Sequence, residues 1–447
     1  MVFFNYQFIW TIVKIILGTI GIIKRSSKRL FKQNRYYFAL VIMGALINVA
    51  EAMNTLSFQQ ALDIAYQNNP TLQAQQTAIE QARGQYVQSK LYPNPSVGIQ
   101  AENIGLPSTL ESGYTGTETT ISVSQPIPLG HRLYYQGEAA KMEYFAACLK
   151  LEATRSSLYI DVGQTYIDAF YAQYWTKASE RLVVVNEEIV SSIKKRLDIG
   201  ANSEVDLKLA ELALDEAIIV FHRARRNELK TKIKLANLIG MPHLKKSILN
   251  EDGLTHHLDP WSTIKKKVLN SNLIRAQMAL IKAMSSQITA AQKQIWPDLN
   301  LQLGFRHFQL YDEKALVLSA NASIPVYNQN QGNVYTAQAK RNETIKNLHQ
   351  LKLNLDTTLY EAYLDGLQNR EEVQKVTNRM LPNAKETVVL AKDGFQQGRY
   401  TYLILSNAML NLSREEEHYT KAHTDYHKAI IKIQGFLMSG RMKNNSR

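Results

Sequence analysis

The chain has 447 residues, of which 45% are hydrophobic, and one cysteine, Cys148. This length suits two or three ordinary domains or one long repeated unit, and the lone cysteine excludes an internal disulfide and a cysteine-rich metal site. The formal net charge is +13. Because basic and acidic residues alternate along the helical segments, we interpret this charge as solvated helix faces, and no nucleic-acid partner is expected.

Residues 1–52 have the pattern of a targeting segment. Basic residues between Lys24 and Arg35 precede an apolar stretch, which ends in Ala50-Glu51-Ala52. Small residues at this spacing are typical of a signal-peptidase site, so we expect cleavage after Ala52 and export of the mature chain. The earlier apolar run, 2–23, is either an over-long start or an additional anchor, and the sequence leaves both open.

The rest of the sequence predicts one order of elements twice. In each half an Ala/Gln-rich helix ends at an aromatic–proline pair, Tyr92-Pro93 or Trp296-Pro297, and two alternating segments follow. Proline ends a helix, and period-two alternation is typical of strands. We therefore interpret the chain as internally duplicated. The predicted first repeat is 53–255, with strands at about 95–104 and 116–126, a long helix at about 131–199 and a returning helix at 203–240. The predicted second repeat is 256–440, with strands at about 298–308 and 314–324, a long helix at about 331–397 and a returning helix at 401–439. A C-terminal tail, 441–447, follows.

The two long helices predict coiled-coil packing. Apolar residues recur at spacings of three and four, as from Ile345 to Leu359, and such spacing favours helices packed side by side. Each long helix ends at a glycine, Gly200 or Gly398, beyond which a second helix returns, so each repeat contains a helical hairpin. Pro382 lies inside the second long helix and predicts a kink there.

The four strands have the length and alternation of membrane-spanning strands. The aromatic residues that flank these strands are Tyr92, Tyr114, Trp296, Phe308 and Tyr311. We predict that they lie at the membrane interfaces, and ordinary packing at the sheet edge is the alternative. Open sheet edges are not tolerated in lipid, and the smallest barrels have about eight strands. Several chains must therefore close the barrel together.

The chain resembles the TolC-like outer-membrane efflux family, on "ALDIAYQNNPTLQAQQ", "SQPIPLG", "IPVYNQNQGNVYTAQ", "MLPNAKETVVLAKDGFQQG" and the two glycine turns. "SQPIPLGHR" and "YNQNQGN" are most similar to its heavy-metal (cobalt-zinc-cadmium type) branch. The resemblance implies an α plus transmembrane β fold, in which a homotrimer forms a 12-stranded β-barrel in outer-membrane lipid and an α-barrel in the periplasm. It also implies a periplasmic adaptor and an inner-membrane pump of the resistance-nodulation-division type as partners, without catalysis and without a cofactor.

The same resemblance predicts where the functional residues lie. Adaptor docking is expected at the ends of the two hairpins, at Ile199, Gly200, Ala201, Gln397, Gly398 and Arg399. The alternative is that each glycine only turns the chain. A periplasmic gate is expected close by, at Arg196, Asp198, Lys392 and Asp393, with Asp393 as the best single candidate for a pore-facing ring. A solvated helix end is the alternative for each of these four.

His423 and His427 are four residues apart on one helix and are weak candidates for a metal site. No third ligand is placed beside them, so we interpret them as part of a solvated face and predict no metal site. No pattern typical of a hydrolase or a nucleotide-binding enzyme occurs in the sequence.

The sequence predicts an exit duct for heavy-metal efflux, with three alternatives left open. A drug-efflux duct or a type I secretion duct would have the same fold. A structural trimeric coiled-coil envelope protein is the alternative of another class, but it would not need two pairs of amphipathic strands. The substrate itself is not readable from the duct.

Overall fold

The computed structural model describes residues 55–104, 116–241, 248–254 and 257–438. The predicted targeting segment 1–52 with its cleavage after Ala52, the aromatic Tyr114 and the tail 441–447 lie outside the described residues. By internal contacts the chain divides into two units. The described part of the smaller unit is a short parallel pair of strands, β1 (Thr55–Leu56) and β4 (Ile248–Leu249).

The larger unit contains the two repeats in the same element order. The first repeat has α1 (Phe58–Asn68), α2 (Pro70–Gln88), β2 (Ser96–Glu102), β3 (Glu118–Pro128), α3 (Arg132–Asp198) and α4 (Glu204–Leu238). The second has α5 (Trp261–Val268), α6 (Asn272–Lys293), β5 (Asp298–Phe308), β6 (Glu313–Ala322), α7 (Gln331–Lys375), α8 (Leu381–Gln396) and α9 (Tyr402–Leu437).

Local signals in the sequence account for where several helices begin. Ser57 and Gln60 form a capping box at the start of α1, and Ser203 and Asp206 form one at the start of α4. The side chain of Asn69 caps α2, whose first residue is a proline. These side chains satisfy backbone N–H groups that have no partner within the first turn of a helix.

The strands of the larger unit form one antiparallel sheet in the order β2-β3-β5-β6. The register aligns the apolar residues of all four strands on one face, in two rows: Val97, Val123, Leu303 and Leu318, then Ile99, Ile121, Phe305 and Leu316. All eight side chains are exposed. An exposed apolar face of this extent is unfavourable in water and is typical of a surface that contacts lipid.

The opposite face of the sheet is polar and hydrogen-bonded. Gln302 donates to the hydroxyl of Ser122 at 2.8 Å and accepts from the hydroxyl of Ser319 at 3.2 Å. Near the other end of the strands Arg306 forms ion pairs with Glu102 at 2.9 Å and with Glu118 at 2.8 Å. The two faces therefore have opposite solvent preferences, as the period-two sequence predicts.

Long helices make up most of the larger unit. At about 1.5 Å per residue, the 67-residue helix α3 is ~100 Å long. Near the sheet α3 packs against α6, through Ala146, Leu149, Ala279 and Ala283. No helix within the described ranges combines the length and the hydropathy that a membrane span requires.

The predicted second long helix, 331–397, is two helices joined by a π-helical turn, Val376–Met380. The amide of Leu381 donates to the carbonyl of Val376, five residues earlier. Pro382 lies at the start of α8 and has no amide hydrogen to contribute. The structure thus places a local widening of the helical turn just ahead of the proline at which the sequence predicts a kink.

Candidate functional site at the hairpin tips

The turn between α3 and α4, residues 199–201, is the first tip turn. Gly200 has a φ of 71°, a left-handed conformation that glycine adopts without strain. The amide of Ala201 donates to the carbonyl of Arg196 at 2.8 Å, and the amide of Gly200 donates to that of Leu197 at 2.9 Å. This pair of bonds is the Schellman motif, which satisfies the last carbonyls of a helix.

The turn between α8 and α9, residues 397–399, is the second tip turn and has the same motif. Gly398 has a φ of 72°. The amide of Arg399 donates to the carbonyl of Gly394 at 2.8 Å, and the amide of Gly398 donates to that of Phe395 at 3.0 Å. Every predicted docking residue is exposed: Ile199, Gly200, Ala201, Gln397, Gly398 and Arg399. The two tip turns therefore present equivalent, accessible backbones.

Arg196 links the two hairpins of the chain. Its guanidinium donates to the carbonyls of Phe395 and Gln396, both at 3.0 Å, and lies 4.9 Å from the ring centre of Phe395. Its Nε donates to Asn202 at 2.7 Å, which fixes the orientation of the side chain. A cation is stabilised at this position because the final carbonyls of α8 carry a partial negative charge.

The partners of Arg196 are not evident from the sequence. Within the described residues its partners are helix carbonyls and an amide, not a carboxylate. The reason is that the end of α8 supplies oxygen acceptors which no local pattern in the sequence reveals.

Lys392 forms a second link between the hairpins. Its Nζ lies 2.7 Å from a carboxylate oxygen of Glu188 on α3. Beneath both links the ends of α3, α4, α8 and α9 pack on one another through buried residues that include Ile193, Ala210, Phe395, Tyr402 and Leu405. The tip end of the chain is therefore held by an apolar core with two polar links between the hairpins.

Asp198 and Asp393 differ from the two basic residues. Both carboxylates are exposed, and neither forms an ion pair within the described part of the chain. The structure thus brings Arg196 and Lys392 into contacts within one chain and leaves the two aspartates on the surface near the tip turns.

A buried charge farther along the hairpins was not found from the sequence. The side chain of Glu416 is 5% exposed and lies 3.3 Å from Nζ of Lys385 and 3.9 Å from the guanidinium of Arg181. The hydroxyl of Tyr174 donates to it at 3.0 Å. Burial, followed by the charge of Glu416, raises the pKa of Tyr174 well above its ordinary value. These groups connect α3, α8 and α9.

A signal for this buried charge was present in the sequence. Residues Tyr402, Met409, Glu416, His423 and Ile430 are spaced by seven along α9. Four of these five residues are buried, and His423 is half-buried. The heptad spacing therefore predicts an inward-facing glutamate and histidine, although their polarity favours an outward position.

The interpretation of His423 and His427 as a solvated face is wrong. His427 is 2% exposed. The ring of His423 lies 4.2 Å from that of Tyr419, and its Nε2 lies 3.0 Å from the hydroxyl of Thr377 in the π turn. Both histidines pack in a helix interface, His423 at the inward-facing heptad position and His427 about one turn further along α9. Among the described residues no group of three or more potential metal ligands is present.

The predicted interface aromatics lie at both ends of the sheet. Tyr92 is 69% exposed and precedes β2, and Trp296 is exposed and precedes β5. Tyr311 is 71% exposed and lies at the opposite end, in the turn between β5 and β6. Phe308 does not lie on the apolar face of the sheet. Phe308 pairs with Glu118 and shares the polar face with Arg306, since residues two apart in a strand point to the same side.

Comparison with known proteins identifies the family. The family model described as outer membrane efflux protein matches residues 61–241 and 263–437. The chain belongs to the outer membrane efflux protein family.

Two relatives and one solved structure illustrate the similarity of this outer membrane efflux protein to known proteins. It is 23% identical over 389 residues to the cobalt-zinc-cadmium resistance protein CzcC of Cupriavidus metallidurans, covering 87% of this chain and 91% of CzcC. It is 23% identical over 331 residues to the nickel-cobalt-cadmium resistance protein NccC of Alcaligenes xylosoxydans xylosoxydans, covering 72% and 71%. A crystal structure of CusC superposes with a TM-score of 0.70 at 18% identity, covering 86% and 92%.

These comparisons confirm the predicted fold class and location. The protein has the fold of the TolC-like channels, in which long helical hairpins continue from a β-barrel. It is an outer-membrane efflux channel, with its helical part in the periplasm.

Proposed function

We propose that this protein is the exit duct of a three-part efflux system for heavy-metal cations. In this proposal a homotrimer receives the cations from an inner-membrane pump through a periplasmic adaptor. The observation that carries the choice of substrate is that relatives aligned over most of the chain are named for cobalt, zinc, cadmium and nickel resistance. Both tip turns are exposed, which supports adaptor docking there.

The sheet supports assembly of several copies. Within the part of the chain that the structure describes, the outer strands β2 and β6 each have a neighbour on one side only. Because unpaired backbone groups are too costly in lipid, these edges require strands of other copies as partners. With the apolar face toward lipid, the polar face with Gln302, Ser122 and Arg306 lines the lumen.

The lumen surface is suited to passing cations without holding them. Across the middle of the sheet it carries neutral amide and hydroxyl groups, those of Ser96, Ser122, Ser124, Gln302 and Ser319. Conduction requires binding that is weak enough for release. Amides and hydroxyls bind transition metals more weakly than thiolates or imidazoles do.

The gate in this proposal lies next to the tip turns. Asp393 and Asp198 are exposed carboxylates there, and a ring of such groups concentrates cations at a pore entrance. Arg196 and Lys392 hold the two hairpins of each chain together and so restrict how far the entrance can widen.

The test is growth of a deletion strain on salts of cobalt, zinc, cadmium, nickel, copper and silver, beside dyes, bile salts and antibiotics. The proposal expects sensitivity confined to metals and its correction by the intact gene. An Asp393→Asn variant is expected to correct less well than the matched variant Glu386→Gln, an exposed carboxylate on the same helix. Sensitivity to dyes and detergents alone would move the protein to drug efflux, and unchanged growth together with a defect in protein export would indicate type I secretion.

A further inference from the structure

A cluster of exposed aromatic and apolar side chains lies where the sheet meets the helices. At the end of α2, Leu91 and Tyr92 are 54% and 69% exposed. At the starts of α3 and α7, Tyr134 and Tyr335 are 63% and 74% exposed, and Trp296 precedes β5 with 49% exposure. These residues form the junction surface. Several large exposed aromatics at the boundary between sheet and helices indicate contact with a partner or with lipid.

Two lysines belong to the same surface. The ammonium of Lys90 lies 3.8 Å from the ring centre of Tyr86, and that of Lys293 lies 5.1 Å from the ring centre of Tyr135. Within the described residues neither lysine forms an ion pair with a carboxylate, whereas Arg132 close by is paired with Asp298. The two lysines are therefore cations held beside aromatic rings and available to an anion.

The first turns of α3 lie between the two lysines. Lys90, from the end of α2, packs against Gly137, where a Cβ atom would lie 3.0 Å from Cγ of the lysine. Lys293, from the end of α6, packs on Tyr135. Three helix ends thus bring both cations to the level at which β2 and β5 begin.

The junction surface lies next to the ends of the sheet strands. Strands β2 and β5 begin within six residues of Lys90 and Lys293. The two exposed apolar rows of the sheet, one from Val97 across to Leu318 and the other from Ile99 across to Leu316, lie in the membrane. The layer that directly borders the hydrocarbon core contains the lipid headgroups, where tyrosine, tryptophan and lysine side chains are favoured.

We propose that the junction surface binds anionic phospholipid headgroups of the leaflet that faces the periplasm, with Lys90 and Lys293 contacting the phosphate groups. The aromatic side chains supply the interfacial contacts, and the two lysines supply the preference for negative charge. This proposal rests on the location of the channel in the outer membrane and not on the identity of the transported cation.

The test uses the purified, assembled channel reconstituted in phosphatidylcholine vesicles that contain brominated phosphatidylglycerol or brominated phosphatidylcholine. Brominated lipid quenches tryptophan that it contacts, and Trp296 lies on the junction surface, so the ratio of quenching gives the relative binding constant of the two lipids. The double variant Lys90→Gln/Lys293→Gln is compared with the matched variant Lys230→Gln/Lys234→Gln, whose lysines are exposed on α4. A Trp296→Phe variant identifies the signal of the reporter.

The expected result is a wild-type preference for phosphatidylglycerol that falls by about fivefold for each lysine removed, as for a lysine beside an anionic membrane surface. The α4 variant keeps the wild-type preference, and added inorganic phosphate does not compete. Equal binding of both lipids by the wild type would overturn the proposal. So would competition by phosphate, which would indicate a free-anion site, or dissociation of the assembly in the double variant, which would indicate that another copy of the chain covers this surface.

Discussion

Replacement of Arg196 by alanine should loosen the contact between the two hairpins at their tips. The substitution removes two charge-assisted hydrogen bonds of 3.0 Å to the end of α8 and the stacking on Phe395. Arg196 is half-buried, so solvent replaces part of what is lost. We expect the free energy of local opening to fall by about 1–2 kcal/mol for the two bonds together. This corresponds to a population of the open tip that is about 5- to 30-fold larger.

Hydrogen exchange of the assembled channel, followed by mass spectrometry, measures this opening directly. The amides of Gln397, Gly398 and Arg399 are hydrogen-bonded in the second tip turn, and their exchange should accelerate by the same factor. The matched control is Lys195→Ala, which removes an exposed cation from the same turn of α3. Wild-type exchange in the Arg196 variant, or equal acceleration in both variants, would refute the role of Arg196 as a link between the hairpins.

Three further predictions concern charged groups near the tips and within the hairpins. Asp393→Asn should shift the reversal potential of the channel in a KCl gradient toward zero, and Glu386→Gln should not; equal shifts would show that the position of Asp393 is not special. Glu416→Gln should lower the free energy of unfolding by about 1 kcal/mol per chain, because the buried carboxylate loses its charge attraction to the exposed Lys385 and Arg181. The exposed Glu417→Gln should have little effect in the same denaturant titration. Partial burial raises the pKa of Asp206, but hydrogen bonds from Ser203 and Asn202 outweigh this and lower the pKa overall. Asp206→Asn should therefore reduce thermal stability at neutral pH, and the difference from the wild type should vanish as the pH falls below about 4. A difference that does not depend on pH would contradict this role.

The strands could be predicted from the sequence because their signals are local. The predicted strand 298–308 corresponds to β5 (Asp298–Phe308), and 314–324 lies within two residues of β6 (Glu313–Ala322) at each end. Alternation with a period of two and the neighbouring prolines are sufficient for this. The aromatic character of Phe308 does not reveal its face, because the position of a residue along the strand decides the side to which it points.

The candidate site could be predicted only in part, because its contacts join distant parts of the chain. The glycine turns were found from the sequence, whereas the partners of Arg196 lie about 200 residues away at the end of another helix. Glu416 occupies a position whose heptad spacing indicates burial while its charge indicates exposure. The conflict is resolved only when Lys385 and Arg181 are placed beside it.

The two tip turns share a backbone motif but differ in the side chains beside it. Arg196 and Asn202 of the first tip occupy the same positions relative to the turn as Gly394 and Tyr400 of the second. The ring of Tyr400 fills the space where a side chain at position 394 would lie. A side chain at position 394 would therefore have to displace that ring. Both tips therefore have the same backbone motif, while the link joins a donor beside the first tip to the helix-end carbonyls beside the second.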